Sequence, residues 1–139
     1  MTRGARLLRT AVGGCAALGL AAAAAPTFLS QVQGGLWEVS GAPGAKVPAR
    51  MCVGNAAILA RFEHRGRNCA AKILKSTDNS TWIDYDCGFA GFGHSEVDVL
   101  TPRSLRIDTQ GISGGLPFAY VLQARRVGDC PVPAAPAHH

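Results

Sequence analysis

The chain has 139 residues, of which 14 are lysine or arginine and 9 are aspartate or glutamate. This length is enough for one small domain. Three of the arginines lie within the first 25 residues, so the rest of the chain carries 11 basic and 9 acidic residues. That balance excludes a polyanion binder on charge alone, and we expect no nucleic-acid partner.

The N-terminus has the pattern of a secretory signal peptide. Arg3, Arg6 and Arg9 precede an uncharged, alanine-rich run that ends near Ala25. A basic start, an apolar stretch and small residues at its end are typical of such a signal, and the run is shorter than the roughly 20 apolar residues of a membrane span. We predict a signal peptide over residues 1–25, a single domain over 26–130, no transmembrane segment in the mature chain, and a periplasmic or secreted location.

The mature chain alternates apolar and polar residues, with turn residues recurring about every ten positions, which is typical of a small all-β domain. The predicted strands are Gly35–Ser40, Val47–Cys52, Cys69–Thr77, Thr81–Cys87, Gly93–Leu100, Ser104–Thr109 and Pro117–Val127. One short helix is predicted over Asn55–Phe62, because alanine, leucine and isoleucine follow a capping asparagine there.

These elements predict an all-β fold. A sheet with one apolar face must curl or be covered. We therefore expect an antiparallel meander that forms a partly closed barrel of about seven strands, plugged by the short helix. The Pro/Ala-rich residues 131–139 are predicted to be a disordered tail.

A turn at Asp78–Asn79 sets the register of the first predicted hairpin. In that register Ile73 faces Ile83 on an apolar side, and Lys72 faces Asp84 on the other side, as cross-strand pairing favours. The next hairpin, which turns at 101–102, separates its sides in the same way. There Val97 faces Ile107, Val99 faces Leu105, and Asp98 faces Arg106.

Four cysteines follow the predicted signal peptide, and they are Cys52, Cys69, Cys87 and Cys130. An even count in a secreted chain indicates two disulfide bonds. The first hairpin sets Cys69 opposite Cys87, at roughly the 4.5 Å Cα separation of a non-hydrogen-bonded pair, which a disulfide allows. We predict Cys69–Cys87 and Cys52–Cys130; Cys52–Cys69 with Cys87–Cys130 stays open, because spacing alone does not settle connectivity.

Segments at both ends of the mature chain resemble a known family. They are "GGLWEVS" (Gly34–Ser40), "MCV" (Met51–Val53), "DYDC" (Asp84–Cys87) and "ARRVGDC" (Ala124–Cys130). With Cys69, they resemble the domain-of-unknown-function family 3617, which consists of small secreted proteobacterial proteins. Many members have Leu-Thr-Pro after the first cysteine, where this chain has Val53-Gly54-Asn55. The resemblance implies a compartment and an architecture, and no activity.

Two motifs suggest catalysis, and we interpret both as structural. Gly111–Gly115 matches G-x-S-x-G around Ser113, but the Gly-Gly-Leu-Pro that follows stops a helix. We therefore predict a mobile, glycine-rich loop. His94 is predicted to face Asp86 as a solvated surface pair, because no nucleophile accompanies it. No enzyme activity is expected. No metal or cofactor is expected either, because no Cys-x-x-Cys pair is present and His64 and His94 lack ligand-like spacing.

Three arginines form a candidate anion site. Pairing of the last two predicted strands brings Arg125 and Arg126 near Arg103, and guanidinium groups bind phosphate or carboxylate. An anionic component of the envelope is the partner that such a rim fits. The alternative is structural, with an arginine stacked on Trp37 or paired with a nearby carboxylate such as Glu38 or Asp129.

The sequence therefore predicts a periplasmic or secreted β-domain that acts as a binding or structural module of the envelope. The alternative is a calycin-like carrier of a small apolar ligand, because Gly35, Trp37 and Arg125 also resemble the tryptophan–arginine pair of lipocalins. An internal cavity would distinguish the carrier from the module.

Overall fold

The computed structural model describes residues 28–132, so the predicted signal peptide and residues 133–139 of the predicted tail lie outside it. Seven antiparallel strands form one sheet. They are β1 (Gly35–Ser40), β2 (Ala49–Val53), β3 (Ala70–Ser76), β4 (Ser80–Asp86), β5 (Gly91–Thr101), β6 (Ser104–Ser113) and β7 (Leu116–Gly128). Two short 3₁₀ turns, Phe28–Gln31 and Gly88–Ala90, and one longer 3₁₀ helix, Ala56–His64, complete the described chain.

The strands lie in the order β2-β1-β7-β6-β5-β4-β3. Strands β3 to β7 follow one another as a meander, and β1 lies beside β7. The sheet has two free edges, β2 and β3, so the predicted barrel is confirmed only as a partial one. No helix within residues 28–132 is long and apolar enough to cross a membrane.

The core lies on one face of the sheet, which we call the inner face. Alternate residues of β5 and β6 are buried there, as period-2 patterning requires. The largest fully buried side chains of the core are Trp37, Leu59, Phe62, Leu105, Ile107 and Leu122. Two of these, Leu59 and Phe62, come from the 3₁₀ helix, which covers the inner face as the sequence predicted.

The 3₁₀ helix begins where the sequence placed it. The Asn55 side chain caps it by accepting a 2.9 Å hydrogen bond from the Ala57 amide. The helix differs from the prediction in continuing two residues past Phe62 to His64, and it is kinked at Arg61, where φ is −110° and ψ is 37°. The kink lets both halves bury side chains against the curved sheet.

The predicted registers of two hairpins are confirmed. Lys72 faces Asp84 and Ile73 faces Ile83 in one hairpin, and Val97 faces Ile107 in the other. The apolar side of the first hairpin is nevertheless half exposed at Ile73, because every residue of the edge strand β3 is exposed.

The register between β4 and β5 was predicted wrongly. His94 faces Asp84 rather than Asp86, and Asp86 faces Phe92. The difference arises in the connection. The 3₁₀ turn occupies only Gly88–Ala90, and β5 begins at Gly91, with a φ of 120°, whereas the prediction began this strand at Gly93.

Both predicted disulfides are present. Cys69 and Cys87 are joined across the start of β3 and the end of β4, with their Cα atoms 4.1 Å apart. Cys52 and Cys130 are joined across β2 and the segment after β7, at a Cα separation of 5.4 Å. The two bonds therefore secure both edges of the open sheet, which resolves the connectivity that spacing left open.

Candidate functional site

The outer face of the sheet, opposite the core, carries two neighbouring rows of side chains that cross five strands. The cross-strand partners of the first row are Lys72, Asp84, His94, Gln110 and Ala119. Those of the second row are Ala70, Asp86, Phe92, Ile112 and Pro117. The first row is mainly polar and the second mainly apolar, so chemically distinct strips lie side by side.

The two rows line an open trough of about 970 Å³. Its width across five strands is roughly 19 Å, from four spacings of about 4.8 Å. Gly93 and Gly111 lie between the rows and face each other across β5 and β6. Their lack of a side chain is required by the inner face, since a β-carbon at Gly93 would collide with the Tyr85 ring.

The polar row is organised by an ion pair. Nδ1 of His94 lies 2.6 Å from Oδ1 of Asp84, with His94 38% and Asp84 52% exposed. A carboxylate accepts, so Nδ1 carries the proton in this bond and Nε2 is left available. Lys72 faces Asp84 from the other side in the register of β3 and β4. An exposed pair of this kind adds about 0–1 kcal/mol to stability, so its main effect is to orient the ring.

The apolar row leaves large side chains in contact with solvent. Phe92 is 55% exposed, although it lies in the middle of the sheet between β4 and β6. Ile112 and Pro117 continue the strip on the next two strands. Concave sites of several hundred Å³ with apolar walls and a few fixed polar groups are the usual setting for small ligands. The trough therefore has the composition of a binding site.

A second cleft, of about 730 Å³, lies at one end of the sheet, and it contains Ser113. Its lining also includes Glu63 and His64, so a serine, a histidine and a carboxylate share one opening. They do not form a relay. Nε2 of His64 donates to the Ala90 carbonyl at 3.0 Å, while Nδ1 is buried and has no hydrogen-bond partner among residues 28–132.

The other two residues, Glu63 and Ser113, do not complete a relay either. Glu63 accepts a 2.6 Å hydrogen bond from the Tyr120 hydroxyl. Ser113 ends β6 and is followed by a two-residue hairpin turn, in which Gly114 and Gly115 have φ values of 56° and 82°. The predicted glycine-rich loop is therefore a tight type I′-like turn. Within the described residues Ser113 forms no hydrogen bond with His64 or Glu63, and its structural interpretation accounts for the motif.

Burial raises the pKa of both tyrosines of the inner face, Tyr85 and Tyr120. Burial, followed by the hydrogen bond to Glu63, raises the pKa of Tyr120 far above its usual value. Burial also raises the pKa of Tyr85, whose hydroxyl has no hydrogen-bond partner within the described residues. Both phenols therefore stay neutral to a higher pH than a free tyrosine does.

The three predicted anion-binding arginines lie together, but two of them have carboxylate partners. The Arg126 amide donates to the Arg103 carbonyl at 2.9 Å, so the inferred proximity is real. Nη2 of Arg125 lies 3.3 Å from Oε1 of Glu38, and Nη2 of Arg126 lies 2.6 Å from Oδ1 of Asp129. An anion-binding role for these arginines stays a prediction.

Arg126, rather than Arg125, lies opposite Trp37 in the register of β1 and β7. Its side chain is only 12% exposed, and Nε donates to the Gly34 carbonyl at 2.9 Å. The arginine that lies across from Trp37 in the sheet is therefore one position later than the sequence suggested. Within residues 28–132, no three potential ligands among histidine, cysteine, aspartate and glutamate converge as a metal site.

Comparison of the chain with protein-family models, with curated proteins and with solved structures gives no match. Membership of the domain-of-unknown-function family 3617 therefore stays a prediction. The trough and the end cleft are therefore the features of the molecule that bear on its function.

Sequence reasoning missed the trough. Its rows consist of ordinary residues from five strands, and only the register between all five brings them together. The one local signal was the apolar residue Phe92 on the polar side of the β5 alternation, next to His94.

Proposed function

We propose that the chain is a secreted or periplasmic binding module that holds a small amphipathic carboxylate across the outer face of its sheet. The observation that carries this proposal is the 970 Å³ trough, in which a polar row and an apolar row face the same opening. A ligand with an apolar body and one anionic end matches that division.

The apolar body would lie along Phe92, Ile112 and Pro117. Phe92 is the principal contact, because more than half of this aromatic residue is exposed at the centre of the strip. Covering the exposed half of such a side chain is worth about 1–1.5 kcal/mol, half of the value for full burial. This is sufficient to make Phe92 the dominant apolar contribution to affinity.

The carboxylate would be bound at the polar row. Oδ1 of Asp84 accepts a hydrogen bond from His94, at 2.6 Å, and the ammonium of Lys72, which lines the same trough, is the cation that would meet an incoming anion. Lysine offers three donors. The available Nε2 of His94 accepts from a protonated or hydroxylated end and donates when the ring is charged. The row therefore selects for a polar end without closing over it.

A surface site fits this domain better than an internal one. Leu59 and Phe62 of the 3₁₀ helix occupy the space under the sheet and are fully buried, together with Trp37. The described part of the chain therefore gives no support to the calycin-like carrier, in which the ligand would occupy that space. The two disulfides support an oxidising compartment outside the cytoplasm.

Native mass spectrometry of the protein isolated from the cells that make it tests the proposal directly. The expected result is a co-purifying small acid that is released on denaturation. Decanoate is the defined probe, and 1-decanol, which lacks the carboxylate, is its matched comparison. We expect decanoate to shift the NMR signals of the trough residues, and decanol to bind more weakly.

Two variants of one strand provide the control. Phe92→Gln should weaken decanoate binding about five- to tenfold, from the lost apolar contact. Leu100→Gln should leave binding unchanged, because Leu100 is 58% exposed on the same face of β5 but lies at its far end. If both variants bind decanoate as the wild type does, or if the wild type binds neither probe and carries no small molecule, the trough is not a ligand site.

A further inference from the structure

The end of the sheet that contains the Gly88–Ala90 turn presents large apolar side chains to solvent. Phe89 is 111% exposed and Leu116 is 71% exposed. They stand on neighbouring connections, because Gly91 pairs with Ser113, and Ser113 pairs with Leu116. We call the surface formed by Phe89, Leu116, Arg65 and Arg67 the Phe89 end. Single exposed apolar residues are ordinary, but two at the tips of adjacent turns form one projecting apolar edge.

The Phe89 end is held in a fixed arrangement. The Cys69–Cys87 disulfide joins the loop after the 3₁₀ helix to the loop that carries Phe89. Arg67 lies two residues before one cysteine, and Phe89 lies two residues after the other. The Gly114 amide also donates to the Ala90 carbonyl at 3.2 Å, which ties the two turns together. The apolar tips and the basic loop therefore move as one unit.

Two basic side chains stand beside the apolar tips without a neutralising partner. Arg65 and Arg67 line the same cleft as Phe89, and both are exposed. Within residues 28–132, neither has a carboxylate within 4.0 Å, in contrast to Arg125 and Arg126. Arg65 is already oriented, because its guanidinium lies 4.3 Å from the Phe62 ring centroid and donates to the Phe62 carbonyl.

Two carboxylates near this end already accept hydrogen bonds from other groups of the protein. Glu63 in the cleft accepts the hydrogen bond of Tyr120 at 2.6 Å. Asp86, on the outer face, accepts a hydrogen bond from the Gly88 amide at 2.8 Å. Neither carboxylate lies within 4.0 Å of the Arg65 or Arg67 guanidinium, so both guanidinium groups are available to an incoming anion, and guanidinium matches phosphate geometry with paired donors.

We propose that the Phe89 end docks on an anionic lipid bilayer. Phe89 and Leu116 enter the boundary between headgroups and acyl chains, while Arg65 and Arg67 bind lipid phosphates at the surface. Apolar tips flanked by basic side chains are the arrangement that binds such an interface, because burial of the tips and attraction to anionic headgroups act together. The inference concerns a different surface from the trough and does not depend on a ligand there.

The opposite end of the sheet supplies matched controls. Leu100 is 58% exposed there, and Lys75, near the end of β3, is exposed and has no carboxylate within 4.0 Å in the described part of the chain. That end therefore offers one exposed apolar and one exposed basic side chain, without the paired arrangement.

Vesicle flotation with the protein isolated from the cells that make it tests the proposal. The vesicles are phosphatidylcholine alone, or phosphatidylcholine mixed with phosphatidylglycerol. We expect binding to the mixed vesicles at low salt, and weaker binding as salt rises from about 0.1 M to about 1 M and the Debye length falls from about 10 Å to about 3 Å. Inorganic phosphate at equal ionic strength should compete no better than chloride.

Four variants decide which residues act. Phe89→Ser with Leu116→Ser should weaken binding about tenfold or more, from the lost apolar burial. Arg67→Gln should weaken it about fivefold, and this variant leaves the stacked Arg65 in place. Leu100→Ser and Lys75→Gln should bind as the wild type does. A wild type that ignores the mixed vesicles at low salt, or control variants that lose as much binding as the Phe89-end variants, would overturn the proposal.

Discussion

The hydroxyl of Tyr120 on β7 donates a 2.6 Å hydrogen bond to Oε2 of Glu63 on the 3₁₀ helix. This contact fastens the helix to the last strand at the edge of the core. Because burial and the neighbouring carboxylate both favour the neutral phenol, the pKa of Tyr120 is raised far above 10, and burial also raises the pKa of Tyr85.

The first prediction concerns alkaline pH. The chain contains two tyrosines, and in the unfolded chain both should ionise near pH 10. Above about pH 10 the unfolded chain therefore binds fewer protons than the folded one, so the free energy of unfolding falls as pH rises toward the folded pKa values. Ultraviolet titration should show no ionisation near pH 10 in the folded protein and two phenolates in denaturant.

Tyr120→Phe is the matched variant for this effect. It should cost about 1 kcal/mol at neutral pH through the lost hydrogen bond, and its stability should fall less steeply above about pH 10. Two tyrosines that titrate near pH 10 in the native protein would contradict the assignment.

The second prediction separates the three arginines. Arg126→Gln should lower stability by about 1.5–3 kcal/mol, because its 12%-exposed guanidinium bonds the Gly34 carbonyl. Arg125→Gln should cost at most about 1 kcal/mol, since its pair with Glu38 is exposed, and Arg103→Gln should cost less. Urea unfolding measures all three. Equal costs would remove the structural distinction and favour a shared anion site.

The third prediction compares the two disulfides. Cys52–Cys130 spans 78 residues and Cys69–Cys87 spans 18. Loop-closure entropy therefore predicts losses of about 4.5 and about 3 kcal/mol when each pair is changed to alanine. Chemical unfolding of the two double variants gives the ratio. A greater cost for the shorter loop would show that the folded Phe89 end, rather than the unfolded chain, determines the effect.

The fold was predictable because period-2 alternation and turn residues fix strands and local hairpins without long-range information. The pairings of Ile73 with Ile83 and Val97 with Ile107 are of this kind. The β4–β5 register was missed by two residues, because the backbone path through the 3₁₀ turn and Gly91 is not encoded in a hydrophobic pattern.

The candidate sites depend on relationships that no local pattern contains. His94 faces Asp84 only in the correct β4–β5 register. Arg67 and Phe89 line one cleft only because the Cys69–Cys87 bond and the His64–Ala90 hydrogen bond join their loops.

For the three arginines, the predicted strand pairing placed Arg103 near Arg125 and Arg126. The structural alternative named Glu38 and Asp129, which are the carboxylate partners of Arg125 and Arg126 in the structure.

The last prediction tests Ser113 and the turn that follows it. Ser113→Ala should leave stability and any bound ligand unchanged, because Nε2 of His64 donates to the Ala90 carbonyl and Ser113 forms no hydrogen bond with His64 in the described residues. Gly114→Ala should instead cost about 1–2 kcal/mol, because an alanine at a φ of 56° is in the left-handed region. Thermal unfolding distinguishes the two variants, and a fluorophosphonate probe provides the chemical check. Labelling of wild-type protein that disappears in Ser113→Ala would establish a nucleophile in the end cleft and contradict the assignment of this motif to a hairpin turn.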